Sequence, residues 1–259
     1  MAAKASVHRL FVVGGTGFVG QAVCHSALAR GWEVVSLSRH GAPERSTIAP
    51  GSSAPKGVQW VRGDALKPET YQQHLSGCTA VVHSVGVLME NNYKKLVSIG
   101  SSGATSSQEA ATYERANRDT ALSVARAARE ISGIDAFAYL SASDVLPFLD
   151  SRYISTKREA ENELIEHCNQ MRPIILRPGF IFSPSRPITI PIAAGVKAFN
   201  AVFHQTPLGC VLKHTPFAKA ASPALRREVL ANAIINAIED PKVSGILNIA
   251  DIERLGSSR

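Results

Sequence analysis

Apolar residues along this chain fall into short runs, each closed by glycine or a small polar residue. The stretches between the runs carry apolar positions three and four residues apart. Residues 8–13 (His-Arg-Leu-Phe-Val-Val) form the first run, and an apolar run that ends in glycines suits a central parallel strand. From Phe18 to Arg30 the spacing is helical, with Val19, Val23 and Leu28 toward a core and Gly31 as the stop. Residues 33–38 (Glu-Val-Val-Ser-Leu-Ser) make the second strand. A strand, a glycine loop, a helix and a strand within about thirty residues form the crossover unit that a parallel sheet requires.

The alternation continues. Val58 to Arg62 is a third strand closed by Gly63-Asp64, Pro68 to Leu75 a short helix, and Thr79 to Ser84 a fourth strand leading into Val85-Gly86. Tyr113 to Ile131 reads as a long helix with Ala121, Leu122, Ala125 and Ala128 at helical spacing. Ala136 to Leu140 is the fifth strand, Arg152 to Gln170 a helix, and Arg172 to Leu176 the sixth strand. Residues 41–57, rich in Gly, Pro and Ser, read as a surface loop, and the low-complexity segment 98–110 as a mobile loop. Strictly alternating strands and helices predict an α/β protein with a doubly wound parallel sheet.

The pattern changes after Ser183, where Pro184, Pro187 and Pro191 interrupt it. Two amphipathic helices are predicted beyond, over 192–203 (Ile192, Val196, Phe199, Phe203) and 224–239 (Val229, Ala233, Ile234, Ile238), then a last strand from Gly245 to Ile249. The expected organisation is a core over 1–183 and a small C-terminal cap over 184–259, packed on the carboxyl edge of the sheet. The last helix and strand of that cap return to the core.

The loop between the first strand and the first helix, Gly14-Gly15-Thr16-Gly17-Phe18-Val19-Gly20, carries the first recognisable chemistry. Gly15 permits a tight turn, Gly17 lets backbone approach a pyrophosphate, and Gly20 lets helix and strand pack closely. The helix N-terminus offers free N–H groups and partial positive charge to phosphates. In this strand–loop–helix–strand context the three glycines predict a bound dinucleotide. NAD sites place an acid at the end of the second strand, but here the residues are Ser36-Leu37-Ser38-Arg39. Arg39 can pair with a 2′-phosphate, which favours NADP(H) over NAD(H). Alternatively Arg39 is a solvated turn residue and the pocket accepts NAD.

Downstream, Tyr153 and Lys157 stand four apart, on one face of a predicted helix. A lysine cation beside a phenol lowers the phenol's pKa, and the tyrosine can then pass the proton that accompanies hydride transfer.

Together these segments resemble the short-chain dehydrogenase/reductase superfamily, in its extended or atypical branch, with the Rossmann fold. The resemblance is carried by VVGGTGFVG at 12–20, Asp64, HSVG at 83–86, AN at 116–117, YLSAS at 139–143, YISTK at 153–157 and RPG at 177–179. It implies that Asp64 contacts the adenine and that Ala65, Ser84, Val85 and Gly86 line the cofactor. Tyr153 and Lys157 would be the catalytic pair, and Ser141 or Ser143 the hydroxyl that polarises a substrate carbonyl. Asn117 would support a proton relay or shape the site, and Pro178 and Gly179 would line the nicotinamide pocket. The segments VVSLSRHG, VVHSVGVLMEN, YISTKREAENEL and RPIILRPGFIF are further similar to a mitochondrial subfamily of coenzyme Q (ubiquinone) biosynthesis. The NADPH-binding accessory subunit of respiratory complex I belongs to a related branch. This implies a mitochondrial location on the matrix side of the inner membrane, with a ubiquinone-synthesis complex as partner and a cytoplasmic location as the alternative. Two functions follow from the resemblance: an NADPH-dependent oxidoreductase on a small apolar carbonyl or quinone precursor, or a non-catalytic cofactor-binding subunit. An epimerase or dehydratase is a third.

Composition narrows the remaining classes. The formal charge is +7, without a run of Lys and Arg interleaved with aromatics, so nucleic acid is not an expected partner. The excess base fits a solvated surface, or attraction to an anionic cofactor or membrane face. Cys24, Cys78, Cys168 and Cys210 are too far apart for a CxxC, and the histidines form no HxxxH or HExxH, so no metal site is expected. Cys24 and His83 fit packed core roles, and Glu159, Glu161, Glu163 and Glu166 fit a solvated helix face. The segment 188–212 is apolar and suits either cap packing or a pocket or membrane patch for a prenylated substrate. The first ten residues, too short for a secretory signal, read as a minimal targeting stub or a plain start.

Overall fold

A computed structural model of the chain describes residues 8–43, 54–86, 114–143, 151–167, 170–184 and 224–258. Its centre is β1 (Arg9–Val13), where Leu10, Phe11 and Val12 are fully buried. A strand apolar on both faces needs cover on both, and the sheet provides it. The other strands of that sheet are β2 (Glu33–Ser38), β3 (Val58–Arg62), β4 (Ala80–His83), β5 (Ala136–Leu140), β6 (Arg172–Leu176) and a late strand, β9 (Gly245–Leu247). They lie in the order β3-β2-β1-β4-β5-β6-β9, and every neighbouring pair is parallel. The order reverses between β1 and β4, which opens a crevice at their carboxyl ends. β7 (Ile181–Phe182) and β8 (Leu225–Arg226) form a separate parallel pair.

Side chains alternate along each strand and build one core on each face. Leu10, Val12, Val82, Ala138 and Leu176 pack under α1 (Phe18–Ala29), α4 (Arg227–Glu239) and α5 (Ile249–Ser257). Phe11, Val13, Val81, Phe137, Tyr139 and Ile175 pack under α2 (Thr120–Arg129) and α3 (Ser151–His167). α1 closes where expected: Gly31 adopts φ +75°, Gly31 N–H donates to Leu28 O (2.9 Å) and Trp32 N–H to Ala27 O (3.1 Å). That is a Schellman stop. α1 is joined to α4 by Ser26 Oγ donating to Asn232 Oδ1 (2.6 Å) and Arg30 Nη2 to Asn236 Oδ1 (2.5 Å).

Four elements differ from expectation. The helix expected over 68–75 is two 3₁₀ turns, Pro68–Thr70 and Gln72–His74, because Tyr71 (φ −141°) turns out of helical geometry to pack its ring 5.9 Å from Phe11. The helix expected from Tyr113 begins as π-helical turns, Glu114–Asp119, before α2. There Thr120 Oγ donates to Ala116 O (2.7 Å) and Tyr139 OH to Asn117 O (2.8 Å), so side chains replace the regular ladder. The helix expected from 224 starts at Arg227, since Leu225 and Arg226 pair with Ile181 and Phe182. The last strand stops at Leu247, and Asn248 starts α5 with a capping box: Asp251 N–H donates to Asn248 Oδ1 (3.1 Å) and Asn248 N–H to Asp251 Oδ2 (3.2 Å). The predicted helix over 192–203, the apolar segment 188–212 and the loop 98–110 lie outside the described residues. Among the described residues no helix is long and apolar enough to cross a membrane.

Candidate active site

The crevice at the order reversal is lined first by the glycine loop. The turn falls on Gly14, with φ +86° and its N–H donating to Leu37 O at 2.9 Å, rather than on Gly15. Space fixes Gly15 instead: a Cβ there would lie 2.2 Å from Ser36 Oγ and 3.1 Å from Cys24 Sγ. At Gly20 a Cβ would lie 2.2 Å from Gly14 O, so α1 rests directly on the loop. Gly17 is exposed and starts α1 without a side-chain cap, which leaves the first amides of the helix open to an anion. Gln21 Nε2 donates to Thr16 O at 2.8 Å and braces the loop. Val19 is buried in the core, while Phe18 is half-buried with the Arg227 guanidinium 5.1 Å from its ring centre. Those two contribute backbone to the crevice. A side chain at Gly15 would strike Ser36 and Cys24 and one at Gly20 the loop backbone, so both glycines hold the loop close under α1, and the uncapped amides at Gly17 fit a dinucleotide phosphate.

The ends of β2 and β3 lie next to each other. Ser38 is the Cα partner of Arg62, and Ser38 Oγ donates to Gly41 O at 2.6 Å. Arg39 and Arg62 are both exposed at this rim, and no carboxylate ends β2. Asp64 accepts Leu66 N–H on Oδ1 (3.0 Å) and donates its own N–H to Thr70 Oγ1 (3.1 Å). Tyr71 OH donates to Ala65 O (3.2 Å), which completes a fixed loop after β3. Ser84 Oγ donates to Val13 O (2.9 Å).

The opposite end is polar and buried. Lys157 is 1% exposed, and Nζ donates to Leu140 O (2.8 Å) and Val85 O (3.3 Å) and stands 4.6 Å from the centre of the Tyr139 ring. Burial pushes its pKa down to about 7, partly offset by the Glu161 carboxylate. A Cβ placed on Gly86 would lie 3.8 Å from Lys157 Nζ, 3.9 Å from Asn117 Oδ1 and 3.9 Å from Tyr153 OH. Three polar ends from α3 and the π-helical segment thus converge on one backbone position. Asn117 is fully buried, and neither end of its side-chain amide has a protein partner. A buried orphan of this kind calls for a ligand or water.

The two serines differ. Ser141 Oγ donates to Glu161 Oε1 and also receives Arg158 Nη1 at 3.3 Å, so it is committed to an ion-pair network. Ser143 Oγ is buried without a protein partner, and Ser143 N–H donates to Pro178 O at 2.9 Å. Pro178 is buried and Gly179 half-buried beside it. His83 is fully buried, 5.7 Å from the Tyr139 ring, and burial together with the Lys157 charge pushes its pKa down to about 3. Because the Thr120 hydroxyl donates to Ala116 O, it accepts from His83 Nε2 (3.1 Å), which fixes a neutral Nε2–H imidazole. Cys24 is buried, and that burial pushes its thiol up to about 12.

The expectation of a solvated glutamate face does not hold for Glu161, which is completely buried. Arg177 Nε reaches both its oxygens at 3.1 Å, Arg177 Nη2 reaches Oε2, and Arg158 Nη1 reaches Oε1 at 2.5 Å. Its available signal was position: Glu161 stands four residues after Lys157, on the stripe that begins at Tyr153. Tyr139, which props both Lys157 and the carbonyl of Asn117, opens the YLSAS segment, which marked its serines and gave the tyrosine no role.

A family profile described as NAD(P)H-binding matches residues 14–201. The chain is 30% identical over 273 residues to MIOREX complex component 2 of Saccharomyces cerevisiae, covering 95% of this chain and 99% of that protein. It is 25% identical to a 2-alkyl-3-oxoalkanoate reductase of Shewanella oneidensis over 73% of this chain and 49% of the reductase. Among solved structures, an oxidoreductase of the short-chain dehydrogenase/reductase family from Burkholderia thailandensis superposes with a TM-score of 0.61 at 19% identity, covering 95% of this chain and 92% of that one. With its glycine cradle at the order reversal of a seven-stranded parallel sheet, the chain belongs to the NAD(P)H-binding family.

Proposed function

We propose that the protein is an NADPH-dependent oxidoreductase of the short-chain dehydrogenase type, acting on an apolar carbonyl or quinone intermediate. The observation that carries this reading is the convergence of Tyr153 OH, Lys157 Nζ and Asn117 Oδ1 around Gly86. A bound NADPH supplies hydride to the carbonyl carbon. Tyr153 OH gives its proton to the carbonyl oxygen as charge develops there. Lys157, held by two backbone carbonyls, supplies the local positive charge when protonated and stands ready to hold ribose hydroxyls. The free hydroxyl of Ser143 is the better placed of the two serines to hydrogen-bond the substrate oxygen, and the orphaned Asn117 amide to hold a water behind Tyr153. The exposed Arg39, with Arg62 beside it, provides charge for a 2′-phosphate. The Shewanella relative, a 2-alkyl-3-oxoalkanoate reductase by name, supports an alkyl ketone as the substrate class. The subfamily resemblance supports a role in mitochondrial ubiquinone biosynthesis, on the matrix side of the inner membrane.

A second reading is favoured by the yeast relative, which is named as a component of a complex and matches over nearly its whole length. There the chain is a non-catalytic cofactor-binding subunit, stabilised by its ligand. Tyr153→Phe separates the two. Loss of about 100-fold or more in NADPH oxidation and loss of the cellular function, with NADPH affinity preserved, supports catalysis. Full function in the Tyr153→Phe protein favours the subunit.

A further inference from the structure

Tyr153, Lys157 and Glu161 stand at i, i+4 and i+8, so one stripe of α3 presents a phenol, an amine and a carboxylate to the sheet. Glu161 is the one buried carboxylate among the described residues. An isolated carboxylate in that place is strongly disfavoured, and it persists here because two guanidinium groups and a hydroxyl meet it. Each partner belongs to the rim of the cleft. Ser141 follows β5, and Arg158, which also bonds Glu161, donates through Nη2 to Ala142 O at 2.9 Å. Arg177 follows β6, and its backbone N–H donates to Leu247 O at 2.9 Å. The next residue, Pro178, accepts Ser143 N–H, while Lys157 Nζ reaches Leu140 O.

We propose that Glu161 is a positioning residue: its carboxylate ties α3 to the ends of β5 and β6, sets where Lys157 Nζ and Ser143 stand, and supplies the negative charge that Lys157 faces. Among the described residues, the groups around Lys157 are neutral His83 from β4, the Tyr139 ring from β5, Asn117 from the π-helical segment, and Tyr153 and Glu161 from α3. Glu161 is the only anion among them, and it favours the ammonium form against burial. A carboxylate that merely braces the fold need not act on the amine. One that acts by charge must shift its titration.

The test is ¹³Cε-lysine NMR on the full chain, with the Lys157 resonance identified by its loss in Lys157→Met. Glu161→Gln, which keeps size and loses charge, lowers the titration midpoint of Lys157 by about one unit. Arg158→Gln removes a cation from the same carboxylate and raises the midpoint. Midpoints that stay put, or move in the same direction, overturn the proposal. If Glu161→Gln does not fold, Glu161→Asp, whose shorter carboxylate stands farther from the amine, decides instead: the midpoint falls, and one that stays put overturns the proposal. The catalytic arm rests on the oxidoreductase reading and uses NADPH with phenanthrenequinone as probe. Glu161→Gln lowers kcat about tenfold with NADPH affinity unchanged, and Glu161→Asp recovers most of it. If the native protein does not reduce the quinone, that bears on the oxidoreductase reading, while the lysine titration still decides the role of Glu161. A fall in kcat with no change in the Lys157 midpoint reduces Glu161 to packing.

Discussion

The loop after β1 and the inner stripe of α3 border the same cleft, yet one is specified by atoms that are missing and the other by polar atoms that are buried. At Gly15 and Gly20 the constraint is contact: the nearest atoms to an added Cβ would be 2.2 Å away. At Lys157 and Glu161 the constraint is charge held out of water. Steric specification is indifferent to pH and salt and fails abruptly. Electrostatic specification is graded and titrates. A dinucleotide site joins both, because the phosphates need close backbone and the reacting end needs a tuned proton.

The largest expected effect breaks the steric end. Gly20→Ala drives a methyl into Gly14 O, destabilising the fold by about 3 kcal/mol, as overpacking does at its upper range. Urea unfolding should read that loss, and NADPH titration a loss of binding with it. Gly15→Ala meets a side chain instead, so Ser36→Ala should recover part of its loss. No such second-site relief exists for Gly20, whose obstacle is backbone.

The next effect belongs to the charged end. Lys157 titrates near 7 in the folded chain, below its ordinary 10.5, so between those values the unfolded chain binds more protons. The contribution of this group to stability therefore grows as pH rises from about 7 toward 10.5. His83 acts in the same sense lower down: its folded pKa near 3 lies below 6.5, so stability falls as pH drops through that window. Unfolding free energies across pH 7 to about 10 should rise in the native protein and flatten in Lys157→Met. The glycine variants should leave that slope alone. A native profile that falls over the same range would refute a buried, depressed Lys157.

Smaller still is the rim of β2 and β3. Arg39→Ala should weaken NADPH on the order of tenfold and NADH hardly at all, since a charge-assisted bond contributes about 1.5–3 kcal/mol. Isothermal titration with both cofactors reads the ratio, and equal losses argue against a 2′-phosphate site. Smallest is Asn248→Ala, which removes the cap of α5 far from either end. It should cost about 1 kcal/mol in unfolding experiments and leave cofactor affinity unchanged.

How far each part was legible follows the same division. β2, β3, β5 and β6 occupy the residues that the apolar runs marked: the inner strand β5 is apolar along its whole length, while the edge strand β3 alternates apolar and polar residues. The glycine loop was legible as a motif, although its turn falls on Gly14 and Gly15 is fixed by Ser36 on the second strand. The π-helical start before α2 was not: the hydroxyl that holds Asn117 O comes from Tyr139, 22 residues away. Glu161 looked like its exposed neighbours because its partner Arg177 lies beyond the helix, 16 residues on. Of the two serines, spacing alone could not separate 141 from 143. The structure ties Ser141 to Glu161 and, among the described residues, leaves the Ser143 hydroxyl without a protein partner. α5 was legible in principle, since Asn248 and Asp251 spell its capping box, but the apolar run before it drew attention to the strand.

The bonds that clamp α1 to α4, from Ser26 to Asn232 and from Arg30 to Asn236, each span 206 residues. The first helix of the cofactor half thus waits for the last fifth of the chain before its outer face is covered. During synthesis an N-terminal half leaving the ribosome presents that face bare, and closing so long a loop is slow. The newborn chain therefore exposes that face until α4 is made, a stage open to aggregation, and a chain cut short before α4 would be left with the outer face of its first helix bare.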